Sequence, residues 1–242
     1  MANRANLFFK ASPLVRVSGY EPRHKIIRKE AVGVKKQPAF PENLAERLGE
    51  LQKKAVKRIL ALRGDKPRTM TEEEFEGREF RYASELIREI RNFGDFHIAA
   101  ACYPEKHPES PDVETDLRYL KEKCDLGVEE LITQMFFDNE KFYRFREKLD
   151  QIGIRASLHA GIMPITKVNQ LGTSVSLSGS SVPTALSNLI AKYAEDPAGM
   201  RQAGIEYAIR QVEDLLKNGI SGIHIYSMNK ADVTKEICQA IM

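Results

Sequence analysis

The sequence predicts an α/β fold of the (β/α)8 TIM-barrel type, and it also predicts that the barrel is incomplete. Apolar runs alternate with helical patterns from about residue 41 onward, and each apolar run stops at a cluster of polar residues. This alternation is typical of a parallel sheet with helices outside it. The length of 242 residues matches the roughly 250 residues of one barrel domain.

Five apolar runs after residue 55 are the predicted strands. They cover residues 59–62, 97–102, 131–133, 156–160 and 223–226. Functional groups of barrel enzymes gather where the parallel strands end, because those ends share one face. The residues that we expect at this shared mouth are Asp65, Tyr103, Gln134, Met163 and Asn229.

Helices are predicted between these strands. Apolar residues recur at helical spacing over 42–56, 82–93, 139–151 and 205–217. Ser110 is predicted to cap a further helix, with Pro111 at its first position and Gly127 at its end. Asn229 is predicted to cap the last helix.

The number of strands falls short of a closed barrel, which has eight. A βα unit takes roughly 30 residues or more. Only about 55 residues precede the first clear strand, so three complete units cannot fit there, although 14–17 and 31–34 can form short strands. We therefore divide the chain into a basic, poorly packed segment at 1–40 and a barrel domain at 41–242.

Positive charge is concentrated at the start of the chain. Residues 1–36 hold nine Lys or Arg and two Glu, a net charge of +7, whereas the whole chain carries +3. A transit peptide or a nucleic-acid-binding arm has such a composition. Pro13, Gly19 and Pro22 interrupt any helical repeat, which favours a poorly specified leader. We expect no nucleic-acid partner.

Cysteine spacing and hydropathy exclude other classes. No apolar stretch reaches the roughly 20 residues that cross a bilayer, so we expect no membrane span. Cys102, Cys124 and Cys238 are an odd number without C-x-x-C spacing, which indicates neither a disulfide framework nor a thiolate zinc site. A reducing cytoplasm fits best.

Three histidines lie inside the predicted strands. His97, His159 and His224 sit in apolar patterns, where a core or barrel-interior imidazole with satisfied hydrogen bonds is favoured over a ligand. Their spacing does not indicate a metal site.

Six motifs occur in the order in which one enzyme family carries them. They are Ile59-Leu60-Ala61-Leu62-Arg63-Gly64-Asp65, Tyr82-Ala83-Ser84, Tyr103-Pro104-Glu105-Lys106-His107-Pro108, Ile132-Thr133-Gln134-Met135-Phe136-Phe137-Asp138, Gly161-Ile162-Met163-Pro164 and Tyr226-Ser227-Met228-Asn229-Lys230. Together they resemble methylenetetrahydrofolate reductase over about residues 42–242. The resemblance implies an FAD-containing barrel that reduces 5,10-methylenetetrahydrofolate to 5-methyltetrahydrofolate with NAD(P)H, in one-carbon metabolism and methionine biosynthesis.

The resemblance also implies which residues contact FAD. They are Arg63, Gly64, Asp65, Tyr82, Ala83, Tyr103, His107, Asp116 and Lys123. A carboxylate such as Asp116 suits ribose hydroxyls, and an ammonium such as Lys123 suits the pyrophosphate. From periodicity alone, a solvated pair on one helix face is the favoured interpretation of these two residues. Tyr82 can likewise be a core residue.

The folate contacts implied by the resemblance are Asp65, Gln134, Gln170 and Lys230. Gln134 can both donate and accept hydrogen bonds, as a pterin edge requires. Lys230 stands where many members have Arg, and it would meet the folate glutamate carboxylate without a bidentate fork. Residues 171–174 replace a stretch that often supplies a stacking aromatic, so NADH, NADPH and a protein electron donor all stay open.

The start of the chain departs from the family. Members carry a Glu-Phe-Phe-Pro-Pro-Lys motif whose glutamate protonates the departing folate nitrogen. Leu7 takes that position here, and leucine cannot transfer a proton. Asp65 is then the one catalytic assignment, for electrostatics at flavin and pterin. The alternative is a catalytically defective remnant or a flavin- or folate-binding partner subunit. We expect slow turnover, and either a homo-oligomer or a partner subunit.

Overall fold

The fold is built on one sheet. The computed structural model describes residues 15–17, 27–28, 32–35, 41–64, 70–77 and 80–241, with side chains from Leu44 onward. The strands are β1 (Val15–Val17), β2 (Ile27–Arg28), β3 (Val32–Lys35), β4 (Arg58–Leu62), β5 (His97–Cys102), β6 (Val128–Thr133), β7 (Ser157–Ile162) and β8 (Gly222–Ile225). The helices are α1 (Pro41–Lys53), α2 (Glu72–Glu76), α3 (Ala83–Phe93), α4 (Val113–Asp125), α5 (Asn139–Gln151), α6 (Val168–Ser178), α7 (Thr184–Lys192), α8 (Pro197–Lys217) and α9 (Ala231–Ala240).

The order of the strands shows an open barrel. The sheet runs β2-β1-β8-β7-β6-β5-β4-β3. Strands β3 to β8 are parallel neighbours, so their carboxyl ends share one edge. Strand β1 pairs antiparallel with β8 and with β2. Because β2 and β3 stand at opposite ends of the described sheet, it is not closed. The predicted incomplete barrel is confirmed.

The predicted strands are all present, although their ends shift. The five clear strands are β4 to β8, and the short strands predicted at 14–17 and 31–34 correspond to β1 and β3. Strand β6 begins at Val128, earlier than predicted. Two glutamates, Glu129 and Glu130, interrupt the apolar run there, and Glu130 is nonetheless buried. Apart from β1, β2 and β3, the segment 1–40 lies outside the described residues, so its poor packing stays a prediction.

Two predicted helix caps are wrong. Asp112, not Ser110, caps α4, because its Oδ1 accepts a hydrogen bond of 2.7 Å from the backbone N–H of Thr115. Ser110 instead donates to a side chain within α4. Helix α9 begins after Lys230, and Asn229 lies in the preceding turn with a left-handed φ of 64°.

Three helices and part of a fourth were not predicted. They are α2, α6, α7 and the first half of α8. Helix α6 is rich in Ser, Thr and Gly, which have low helix propensity. Helix α8 begins where Asp196 caps it and Pro197 takes its first position. No helix in the described residues is long and apolar enough to cross a membrane.

Apolar side chains form two clusters. The larger one lies between the sheet and the outer helices, and Ile59, Ile98 and Leu131 are completely buried in it. The second cluster comprises Met135, Phe137, Met163, Ile165, Leu186 and Met200. Its members come from the loops after β6 and β7 and from α7 and α8. This cluster therefore supports the loops that leave the carboxyl ends of β6 and β7.

Candidate functional site

The residues that follow the carboxyl ends of neighbouring parallel strands form the mouth of the sheet. Tyr103, Gln134 and Met163 come directly after β5, β6 and β7, and Asn229 lies in the turn after β8. Asp65, predicted to follow β4, lies outside the described residues. Its roles at flavin and pterin stay predictions.

Arg63 leaves β4 and is held by the next loop. Its Nη1 and Nη2 atoms donate to Oε2 and Oε1 of Glu109, both at 2.6 Å. This bidentate, charge-assisted pair fixes the plane of the guanidinium, which also lies 5.7 Å from the ring centroid of Phe75. Gly64 follows with a left-handed φ of 80°, a conformation that glycine adopts without strain. Sequence reasoning did not single out Glu109.

Asp116 ties the loop after β5 to α4. Its Oδ2 accepts a hydrogen bond of 3.1 Å from the backbone N–H of His107, and its Oδ1 accepts one of 2.8 Å from Ser110 Oγ. Asp116 is half-buried, so the alternative of a solvated surface pair with Lys123 is wrong. A carboxylate has about four acceptor sites, which leaves Asp116 able to accept further donors.

The His107 imidazole accepts a hydrogen bond in this loop. Its Nδ1 accepts a hydrogen bond of 3.0 Å from the backbone N–H of Glu109, which assigns the proton of the neutral ring to Nε2. Burial lowers the pKa of His107; Glu109 opposes the shift and Arg63 adds to it. The ring of Tyr103 lies edge-on to it, with centroids 4.5 Å apart.

Lys123 points its ammonium back to the end of β5. Its Nζ donates a hydrogen bond of 2.8 Å to the carbonyl oxygen of Ala101. Burial lowers the pKa of Lys123, and Cys102 and Asp116 oppose that shift. Lys123 forms no ion pair with any carboxylate in the described part of the chain. An anionic group can therefore complete its environment.

Gln134 is anchored through its oxygen. Its backbone N–H donates to Cys102 O at 2.7 Å, and its Oε1 accepts a hydrogen bond of 3.0 Å from the backbone N–H of Met135. The side chain is half-buried. The amide nitrogen makes no hydrogen bond within the described residues, so both of its N–H groups can donate to a ligand.

Gln170 and Lys230 meet at Thr166. Gln170 Oε1 accepts hydrogen bonds from Thr166 N at 3.1 Å and from Thr166 Oγ1 at 3.4 Å, and Gln170 Nε2 donates to Pro164 O at 3.0 Å. Lys230 Nζ donates to Thr166 Oγ1 at 2.7 Å. The structure thus brings together two predicted folate contacts from different loops. The third residue, Thr166, was not predicted.

Lys230 follows a turn with unusual backbone angles. Met228 and Asn229 have left-handed φ values of 49° and 64°. Asparagine tolerates this region, whereas methionine rarely adopts it. Met228 is 66% exposed, so no apolar burial explains its position. The turn sets where Lys230 enters the mouth, since Lys230 N donates to Ser227 O at 2.9 Å.

Tyr82 and Ala83 stand at the start of α3. The side chain of Tyr82 is exposed, at 58%, so the alternative that it is a core residue is wrong. Glu85 fixes this helix start, because its Oε2 accepts hydrogen bonds from Arg81 N at 2.6 Å and from Tyr82 N at 3.1 Å. Their contact with FAD stays a prediction.

A second polar cluster lies at the opposite, amino ends of the strands. It is centred on buried Glu130, whose Oε1 pairs with His159 Nδ1 at 2.9 Å and whose Oε2 pairs with His97 Nε2 at 3.2 Å and with Arg58. His97 and His159 are therefore hydrogen-bonded imidazoles, as predicted. The described residues contain no group of three or more His, Cys, Asp or Glu side chains able to hold a metal ion.

The fold and the site define a barrel-type enzyme whose donors and cations gather at the carboxyl ends of parallel strands. The family model for methylenetetrahydrofolate reductase matches residues 38–242. The 5,10-methylenetetrahydrofolate reductases of Pectobacterium carotovorum subsp. carotovorum and Escherichia coli (strain K12) are 32% and 30% identical over 226 residues, which is 90% of this chain and 74% of each relative. Methylenetetrahydrofolate reductase 1 of Schizosaccharomyces pombe is 33% identical over 185 residues, which is 76% of this chain and 30% of that protein. The chain belongs to the methylenetetrahydrofolate reductase family, and the resemblance seen in its motifs is confirmed.

Proposed function

We propose that this chain reduces 5,10-methylenetetrahydrofolate to 5-methyltetrahydrofolate with electrons from NAD(P)H, using FAD as its cofactor. Membership of the family supports the reaction, and the bacterial relatives are named for the same substrate. The observation that carries the proposal is the placement of Gln134, Gln170 and Lys230 after three neighbouring strands. They follow β6, β7 and β8 in turn, at the edge where the parallel strands end.

These three side chains suit a folate. The free amide nitrogen of Gln134 can donate to the acceptors of a pterin edge. Lys230 contacts a neutral hydroxyl and forms no ion pair within the described residues, so its positive charge is left for a carboxylate. A folate carries a pterin at one end and a glutamate at the other, and both kinds of partner are present.

The residues near β5 suit the nucleotide part of FAD. Lys123 offers a half-buried cation for a pyrophosphate, Asp116 retains acceptor capacity for ribose hydroxyls, and His107 offers a neutral N–H. Arg63 shares its charge with Glu109, so it contributes less positive potential than an isolated arginine. When bound, the flavin supplies the hydride chemistry, and the chain supplies placement and electrostatics.

The setting that we propose is folate one-carbon metabolism and methionine biosynthesis in the cytoplasm. Cys102, Cys124 and Cys238 are free thiols, which fits a reducing compartment. The electron donor is NADH, NADPH or a reduced protein, which the test below distinguishes.

A second candidate function is binding of flavin and folate without efficient turnover. One observation favours it: β1 runs antiparallel beside β8, where a closed barrel has a parallel strand. Leu7, at the predicted position of the proton donor, lies outside the described residues. A missing general acid typically costs about 10²- to 10⁴-fold in rate.

The test uses the purified full chain in three steps. Its absorbance spectrum and the nucleotide released on denaturation show whether FAD is bound. Anaerobic mixing with NADH or NADPH then shows which donor bleaches the flavin, with chemical reduction by dithionite standing in for a protein donor. Addition of methylenetetrahydrofolate should restore the oxidised spectrum and yield 5-methyltetrahydrofolate. A protein that binds no flavin contradicts both candidates; one that binds flavin and folate but forms no product supports the second.

A further inference from the structure

We propose that Thr166 is a positioning residue that fixes Gln170 and Lys230 relative to each other, and so sets the affinity of this site for folate. The inference rests on the proposed function, because it takes those two side chains as folate contacts. Neither Gln170 nor Lys230 contacts the other directly through the hydrogen bonds described. Each bonds to the same residue between them.

The hydroxyl of Thr166 links the two side chains in one direction. Lys230 is only a donor, so Thr166 Oγ1 must accept at their 2.7 Å contact. The hydroxyl proton is then directed to Gln170 Oε1 at 3.4 Å. With Gln170 Oε1 also accepting from Thr166 N, the amide orientation is set, and Gln170 keeps one N–H of Nε2 for a ligand after donating to Pro164 O.

Helix α8 holds Thr166 in place. Thr166 is buried, with 5% of its surface exposed. A Cβ added at Gly204 of α8 would lie 1.8 Å from the carbonyl oxygen of Ile165. The backbone of Ile165 therefore packs directly against the backbone of α8 at Gly204, and it cannot move closer to the helix. A rigid backbone is what allows one hydroxyl to impose a position on a flexible lysine.

The hydroxyl of Thr166 is uncharged, and this determines which kind of ligand Lys230 can bind. A carboxylate in place of Thr166 would hold Lys230 equally well but would neutralise its charge. A hydroxyl holds the ammonium and leaves the charge for an anion. The pair thus suits a ligand that presents a carboxylate near a hydrogen-bond acceptor, which is the class of chemistry that the glutamate end of a folate offers.

The test replaces the hydroxyl and then restores it. Thr166→Val keeps the shape of the side chain but removes the two hydrogen bonds of the hydroxyl. Thr166→Ser keeps the hydroxyl and both bonds. Binding of 5-methyltetrahydrofolate to the FAD-loaded chain is measured by titration calorimetry, with thermal melting and FAD content recorded for every variant. We expect Thr166→Val to weaken binding about tenfold, equivalent to about 1.4 kcal/mol, and Thr166→Ser to remain within about twofold of the wild type.

A double-mutant cycle separates positioning from direct contact. Because Thr166 acts in part through Lys230, Thr166→Val should weaken binding less when Lys230→Met is already present. If Thr166→Val does not fold, Thr166→Ala takes its place in the same cycle. Equal binding by Thr166→Val and wild type, equal weakening by Val and Ser, or a full loss in the Lys230→Met background would each overturn the inference. A wild type that binds no folate would instead overturn the proposed function, and the inference with it.

Discussion

The hydroxyl of Tyr226 donates a hydrogen bond of 2.8 Å to the backbone carbonyl oxygen of Thr133. Thr133 ends β6 and Tyr226 follows β8, so the bond passes across the intervening strand β7. Gly161 lies on β7 at this crossing. A Cβ at that position would lie 2.2 Å from Thr133 O and 2.7 Å from Cε2 of Tyr226. The absence of a side chain at Gly161 therefore lets three strands be tied together at the mouth.

Gly161→Ala should lower the free energy of unfolding by about 1 to 3 kcal/mol, because the methyl group has no room between the carbonyl oxygen of Thr133 and the ring of Tyr226. Urea unfolding followed by circular dichroism measures this change. Gly172→Ala is the matched control: nothing lies within 4 Å of a Cβ there, and alanine favours the helix by up to about 1 kcal/mol. Equal stability of the two variants would show that the mouth adjusts freely.

Glu130→Gln should destabilise the fold by about 3 kcal/mol, since it removes the buried carboxylate that pairs with Arg58, His97 and His159. Denaturant unfolding at neutral pH is the measurement. The neighbouring Glu129 is the control. It pairs with His97 and Arg91 but is about half exposed, so Glu129→Gln should cost less than about 1 kcal/mol. If Glu130→Gln lowers the free energy of unfolding no more than Glu129→Gln does, the buried cluster does not stabilise the fold as argued.

Stability should fall as the pH drops from about 6.5 to about 4. Burial lowers the pKa of His224 to about 4; nearby His159 adds to this shift and Glu130 opposes it. A histidine with a lowered folded pKa binds its proton more readily in the unfolded chain, so acid favours unfolding between the ordinary and the lowered pKa. We expect a loss of about 1 to 3 kcal/mol across this interval.

The contribution of His224 can be isolated by replacing its ring. The imidazole packs edge-on against Tyr226, with centroids 4.6 Å apart, and His224→Phe keeps an aromatic ring there. As the pH falls from 7 to 4, the free energy of unfolding of the wild type should fall relative to that of the variant, which lacks the titrating ring. If the free energy of unfolding of His224→Phe falls with pH as steeply as that of the wild type, other groups cause the acid sensitivity.

If Gln134 binds the pterin as proposed, Gln134→Leu should weaken folate binding by about 1 to 3 kcal/mol and leave FAD content unchanged, because it removes a hydrogen-bond donor to the ligand. Titration of the flavin-loaded protein with 5-methyltetrahydrofolate measures the affinity. Gln151→Leu, at the exposed end of α5, makes the same chemical change away from the mouth. If both variants bind folate like the wild type, Gln134 does not belong to the folate site.

The mouth could be predicted from the sequence because its residues follow apolar runs directly. The placement of Tyr103 and Gln134 at the mouth could be predicted from the ends of two strands, because the carboxyl ends of parallel strands lie at one edge of the sheet. The contacts within the mouth could not be predicted. Glu109 binds Arg63, which lies 46 residues away in the sequence, and Thr166 binds Lys230, which lies 64 residues away. Local spacing of residues cannot predict either contact.

The polar cluster at the amino ends depends on strand register. Arg58 and His97 are opposite each other in β4 and β5, and Glu130 is opposite Ser157 in β6 and β7. A shift of one residue would turn each side chain to the other face of the sheet. The sequence indicates that these histidines are interior, but it does not contain the register that makes Glu130 their common partner.

Helix α8 belongs to both apolar clusters. Met200, near its beginning, packs in the cluster beneath the loops after β6 and β7, whereas Val212 and Leu215 pack in the main core. Its 21 residues span about 30 Å. The two ends of this helix are therefore held by different apolar clusters, and the cluster at its beginning is the smaller one. Amide protons should exchange faster near Met200 than near Leu215, because fewer apolar contacts hold the first turns.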